Sequence, residues 1–233
     1  MTNLHYIFDP LCGWCYGAAP LIEAARGIAD LKIIFHAGGM MAGSNRRKIT
    51  EQWREYVTPH DRRIAELTGQ PFGEAYFDGL LRDTGAIMDS APPTTAILAA
   101  EHLAGRGLDM LHRLQKAHYA EGQRIADTAV LRALATELGL DPALFAEAYA
   151  SLEGQATEQH FADSRAWLAR AGADGFPTLA LETADGMLAR LDVGAWLGQP
   201  VAWASHLREL VPMPTDVTQA PVNPTCSIDG CAI

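Results

Sequence analysis

Two pairs of cysteines account for all four in this 233-residue chain. Cys12 and Cys15 stand three positions apart in "FDPLCGWCYGAAP", where a short apolar strand pattern turns into a helical one. At a helix N-terminus, unpaired backbone amides and the positive end of the dipole favour a thiolate, the nucleophile of disulfide exchange. Cys12 at that tip can attack a substrate disulfide. Cys15, nearly one turn further on, can resolve the mixed disulfide without a second encounter. The same pair could instead be half of a zinc site or two packed thiols, but the strand-to-helix context favours redox chemistry. Cys226 and Cys231 flank an Asp-Gly turn in "CSIDGC", which allows a local disulfide to close.

These thiols need elements to position them. Residues 4–8, "LHYIF", and 31–37, "LKIIFHA", read as strands, and Cys15 to Ala29 has helical apolar spacing, which together predict a parallel βαβ crossover. From about residue 50 to 171 no strand pattern is evident, and Ala, Leu, Glu and Arg recur at helical intervals. Within that block "APPTTAILAAEHLAG" starts at prolines and stops at Gly105, while Asp127 and Asp141 stand as N-caps of two further helices. "PTLALE", 177–182, and "MLARLD", 187–192, then read as a hairpin through Asp185-Gly186, followed by a helix over Val201 to Leu210. Pro177 opens the first of these strands, where a missing amide is tolerated and an X-Pro bond can be cis. From Val211 onward the chain is proline-rich and aperiodic, as in an extended tail.

"CGWCYG" together with "GFPTL", residues 175–179, resembles the thioredoxin superfamily. "DPLCGWCYGAAP" followed by a long helical stretch is similar to its DsbA branch, and within it to the FrnE-type disulfide oxidoreductases. The resemblance implies an α/β thioredoxin fold, βαβ then ββα, with a large all-α helical insertion. Residues 1–48 and 172–210 would form the thioredoxin-like domain, 49–171 the insertion and 211–233 the tail. It further implies that Cys12 attacks, Cys15 resolves and Pro177 is the cis-proline beside them. The Phe176 backbone would lie along an extended substrate as an added strand. The dipeptide Gly13-Trp14 is neither the Pro-His of DsbA nor the Gly-Pro of thioredoxin, so it does not specify a reduction potential. Glutathione-linked isomerases and transferases of similar architecture typically lack the cysteine pair, and its presence here favours electron exchange over their chemistry.

Other residues carry weaker signals. Trp14 either offers an apolar face to substrates or packs under the insertion. Asp9 either relays a proton through water or caps a turn. "HAGGMMAGSNR", residues 36–46, either lines a groove with adaptable methionines or is a flexible loop, and His36 reads as structural. No histidine pair has metal-ligand spacing. Roughly 15 extended residues before Cys226 span about 45 Å, against a gyration radius of about 17 Å for such a chain. The tail is therefore long enough to reach the first pair, and the resemblance to FrnE-type proteins with a comparable terminal pair implies a relay between Cys226–Cys231 and Cys12–Cys15. The alternative, one zinc held by all four thiols, would make a metal-stabilised or chaperone-like binding module.

Bulk properties narrow the rest. A net charge of −10 disfavours nucleic acid and anionic membranes as partners, and no apolar run is long enough to span a bilayer. "MTNLHYIFDP" has neither basic leader nor apolar stretch, which points to a cytoplasmic location, where close cysteine pairs are catalytic or metal-binding more often than structural. The sequence thus predicts a thiol-disulfide oxidoreductase that reduces, forms or isomerises disulfides in proteins or small thiols such as glutathione, with no cofactor and no metal.

Overall fold

A computed structural model of the chain describes residues 2–211. Four strands form one mixed sheet in the order β2-β1-β5-β6, comprising β1 (Thr2–Phe8), β2 (Leu31–Ala37), β5 (Thr178–Glu182) and β6 (Leu188–Leu191). β1 runs parallel to β2, as the crossover predicts, and antiparallel to β5, with Tyr6 opposite Leu179 and Leu4 opposite Leu181. Side chains alternate between faces. Leu4, Tyr6 and Phe8 point to the face covered by α1 (Gly13–Arg26) and α8 (Pro200–Leu210), and His5 points to the face covered by α7 (Gln155–Arg170). Both faces of the central strands β1 and β5 are therefore buried, and each fully covered Leu or Phe contributes about 1.5–3 kcal/mol.

The α1 helix contains Pro20, which has no N–H to offer the Tyr16 carbonyl one turn earlier. Gln70 supplies the missing donor from outside the helix, its Nε2 lying 2.9 Å from that oxygen. The loop after α2 (Glu51–Thr68) thus repairs the helix that carries the cysteine pair. α2 also packs directly on α1, since a Cβ on Gly17 would lie 2.7 Å from Ile64 Cγ2.

Between β2 and β5 the chain is mainly helical: after α2 come α3 (Ala91–Ala104), α4 (Gly107–Tyr119), α5 (Thr128–Glu137), α6 (Pro142–Leu152) and α7. α3 begins with prolines in its first turn and ends at Gly105, whose φ of 64° is left-handed, as read from the sequence. Two local expectations need correction. Residues 50–171 do contain a strand: β4 (Ile87–Met88) pairs antiparallel with β3 (Arg47–Lys48), and two residues are too few to show alternation. Asp127 occupies the cap position of α5, but its side chain makes no capping bond, whereas Asp141 Oδ1 accepts from Ala143 N and Leu144 N, both at 2.9 Å. The Asp185-Gly186 hairpin is a three-residue loop closed by Thr183 N to Met187 O at 2.9 Å, with Gly186 alone at positive φ, 84°.

Candidate active site

The β1–α1 turn delivers Cys12 to the cap position of α1, with extended backbone at φ −93° and ψ 115°. Its Sγ lies 3.4 Å from Cys15 N, so the sulfur takes the place that a serine or aspartate oxygen occupies at an ordinary helix start. From 164 residues away the Phe176 carbonyl comes within 3.5 Å of the same sulfur. The Phe176–Pro177 peptide bond is cis. The four elements predicted to meet, namely the β1 end, the α1 tip, Phe176 and Pro177, do meet. Cys12 and Cys15 are both free thiols.

The two sulfurs sit in different surroundings. Cys12 is 6% exposed and lines a groove of about 950 Å³ that runs between the α1 tip, the β3 segment and α2. Cys15 is wholly buried beneath it, and the Tyr6 hydroxyl is 3.4 Å from its carbonyl. Burial, then the adjacent Cys12 sulfur, push the Cys15 thiol well above its ordinary range. An attacking sulfur that lines the groove and a sealed, protonated second thiol are what sequential exchange requires.

Trp14 is half-buried and borders both this groove and a smaller one of about 350 Å³ shared with Phe176, Pro177 and Leu67. Asp9 is fully buried and takes the turn-capping arrangement. Its Oδ1 accepts from Leu11 N at 2.9 Å and Ser90 Oγ at 2.9 Å, and its Oδ2 from Met40 N at 2.6 Å. Burial raises its carboxyl to about 6 despite those donors. The glycine and methionine segment is packed rather than loose. Met40 and Met41 line the groove, a Cβ on Gly38 would overlap the Phe176 ring, and Arg165 donates to the carbonyls of Gly38 and Gly39 at 3.0 and 2.9 Å. His36 lies on the other face of the sheet. Its Nε2 is 2.9 Å from His5 Nδ1, and His5 Nε2 is 3.2 Å from Glu182 Oε2. Since the carboxylate only accepts, neutral His5 carries its proton on Nε2 and receives one from His36.

The auxiliary pair Cys226 and Cys231 lies outside the described residues, so the relay and the four-thiol zinc site do too. Among the described residues no three His, Cys, Asp or Glu side chains are grouped to hold a metal ion, and no helix is long and apolar enough to cross a membrane.

Sequence reasoning missed two features of the groove. One is a basic rim, Arg46, Arg47 and Lys48, where Arg46 pairs with Asp89 at 2.6 Å and the Arg47 guanidinium stands 4.8 Å over the Trp53 ring. The other is Asp61 of α2, only 5% exposed yet lining the groove with Cys12 and Gly13. The run of three basic residues was a readable signal, whereas Asp61 in "TPHDRRIAE" looks like any charged helix face.

Comparison with known proteins places this geometry. The model of the DSBA-like thioredoxin domain matches residues 4–199. The chain is similar to the cytosolic disulfide reductase DsbM from Pseudomonas aeruginosa, at 55% identity and a TM-score of 0.84, covering 89% of this chain and 98% of that one. A structure of DsbM with GSH gives 51% identity and a TM-score of 0.83, with 91% and 100% covered. A 2-hydroxychromene-2-carboxylate isomerase shares the fold at 14% identity and a TM-score of 0.54, with 89% and 97% covered. No curated protein matches the sequence significantly. With the thiol pair capping α1, the cis-proline beside it and a family match over most of its length, the chain belongs to the DSBA-like thioredoxin domain family and is a thiol-disulfide oxidoreductase.

Proposed function

We propose that the protein works as a cytoplasmic disulfide reductase, with Cys12 as attacking thiol, Cys15 as resolving thiol and glutathione as a small-thiol partner. The observation that carries this reading is Cys12 Sγ at the α1 cap, 3.4 Å from Cys15 N, open to a groove while Cys15 is sealed below. The Cys12 thiolate attacks one sulfur of a substrate disulfide, a Cys12–substrate bond forms, and the other substrate sulfur leaves as a thiolate that takes up a proton. Cys15 then loses its proton and attacks Cys12 Sγ; the Cys12–Cys15 disulfide forms and the second substrate thiol is released. Two electrons have passed to the substrate, and two glutathione molecules can return them, leaving as glutathione disulfide. An extended substrate lies along the Phe176 backbone beside Pro177, with Trp14 offering an apolar wall. The basic rim suits the two carboxylates of glutathione. The reductive direction and the glutathione partner are supported by likeness to DsbM, described as a cytosolic disulfide reductase and also found in a structure with GSH. In this scheme Cys226 and Cys231 serve as an intramolecular electron relay.

Insulin reduction driven by glutathione tests the assignment. Cys12→Ser should abolish turnover, and Cys15→Ser should stall at a Cys12 mixed disulfide visible by mass spectrometry. Turnover of Cys15→Ser at the wild-type rate would favour the isomerase-like use of glutathione and defeat the proposal. Truncation before Cys226 should slow regeneration without affecting the first attack.

A further inference from the structure

The sequence leaves open what sets the redox balance of the pair, because Gly13-Trp14 is neither the Pro-His of DsbA nor the Gly-Pro of thioredoxin. The structure gives Gly13 a specific reason. A Cβ at position 13 would lie 2.6 Å from Asp61 Oδ1 and 3.1 Å from Ile64 Cδ1, so only glycine lets α2 press a carboxylate onto the first turn of α1. Asp61 Oδ2 accepts the Tyr76 hydroxyl at 2.7 Å, which fixes the carboxylate without neutralising it. Asp9 differs, because both of its oxygens are occupied by backbone amides and Ser90. Asp61 thus stands against the first turn of the helix whose cap is the Cys12 sulfur, at the positive end of the same dipole.

We propose that Asp61 is a positioning residue that makes the Cys12–Cys15 pair an electron donor: its carboxylate, seated against Gly13, opposes negative charge on reduced Cys12 and so favours the disulfide. The disulfide carries no charge, so the repulsion acts on the reduced state alone and lowers the reduction potential. This inference rests on the exchange chemistry proposed above. Burial raises the Asp61 carboxyl to about 6, opposed by the Tyr76 hydrogen bond, so the charge is present at neutral pH and fades below it. The titratable groups that line the groove with it are Cys12 at the α1 tip, Tyr76, Tyr119 of α4, Tyr56 and His60 on its own helix, and Arg46, Arg47 and Lys48. Burial also raises Tyr76 and Tyr119 well above the ordinary tyrosine range, so both stay neutral and Tyr76 remains the donor to Asp61.

The test equilibrates wild type, Asp61→Asn and Gly13→Ala in glutathione redox buffers at pH 8.5 and pH 5, with the Cys12–Cys15 disulfide quantified by thiol trapping. Asp61→Asn should make the pair more oxidising at pH 8.5 by about tenfold in the equilibrium constant, about 30 mV for two electrons. At pH 5, where the carboxyl is already neutral, the difference should shrink below about twofold. Gly13→Ala, which pushes the carboxylate away but keeps it, should shift the pH 8.5 constant in the same direction by a smaller factor. Equal constants for wild type and both variants at pH 8.5, or equal shifts at both pH values, would overturn the role of Asp61 while leaving the exchange reading intact. A wild-type protein that forms no Cys12–Cys15 disulfide in any buffer would defeat the exchange reading and this inference together.

Discussion

Replacing Gly38 by alanine should harm catalysis more than stability. The new methyl would fall on Phe176 Cζ and Cε1, far inside the roughly 3.5–4.0 Å at which carbon atoms meet. Gly38 cannot retreat, because its N–H donates to Phe8 O at 2.8 Å and its carbonyl accepts Arg165 Nε at 3.0 Å. The ring must give instead. Overpacking in a closed core costs about 1–3 kcal/mol, but this ring is half-buried and borders two grooves, so it can swing out at about 1 kcal/mol. The swing carries the ring into the space a substrate must enter and disturbs the Phe176 carbonyl, 3.5 Å from Cys12 Sγ. Displacement by about 1 Å at a reacting centre can cost about 100-fold, and insulin reduction should fall about 10- to 100-fold. Urea denaturation and insulin turnover measured on the same preparation separate the two effects. Phe176→Leu removes the colliding atoms, so the methyl should be nearly harmless in the double variant, with a coupling energy of about 1 kcal/mol. An unchanged exchange rate in Gly38→Ala, or an equal stability loss in both backgrounds, would refute the argument.

Gln70→Leu leaves the Tyr16 carbonyl beside Pro20 without its donor and should cost about 1–3 kcal/mol in urea denaturation. In a Pro20→Ala background, where the helix supplies its own N–H, the same change should cost less. Acid should destabilise the sheet through His36, which burial, and then His5 and His160, lower to about 4. A histidine lowered in the folded state stabilises fully above its unfolded value of about 6.5, and that stability is lost as pH falls from there toward about 4. His36→Phe should therefore gain on wild type by about 2–3 kcal/mol between pH 7 and pH 4, and a pH-independent gap would exclude His36 as the sensor.

What was legible in the sequence follows from the range of the interactions involved. The Cys12-x-x-Cys15 tip, the strands 31–37 and 178–182 and the hairpin at Asp185-Gly186 are written in local spacing and turn chemistry, and the structure has them in place. Pro177 could be linked to the tip because a ββ unit after a βαβ unit must return to β1, which the Tyr6–Leu179 register does. Asp61 could not be found this way. Its importance comes from α2 crossing α1 at Gly13 and Gly17, and nothing in "TPHDRRIAE" separates it from the charged residues around it. The Asp9–Ser90 hydrogen bond spans 81 residues and is equally invisible locally. The β3–β4 pair is two residues long on each side, shorter than any periodicity can register. Asp127 and Asp141 show the limit from the other direction, since the same residue type at the same kind of cap makes a side-chain bond in only one case.

The inequality of the two thiols also orders their reactions. Charge on Cys12 is one of the causes that hold the Cys15 thiol high, after burial. While Cys12 is reduced, Cys15 beneath it therefore keeps its proton. Once Cys12 is consumed in a mixed disulfide it carries no charge, that contribution vanishes, and Cys15 can ionise more readily just when its thiolate is needed. Burial still opposes it, and a backbone hydrogen bond at Asp9 favours the anion. The step that commits the enzyme is thus gated by the state of its neighbour, and the gate requires only that one sulfur cap the helix while the other lies a turn inside it.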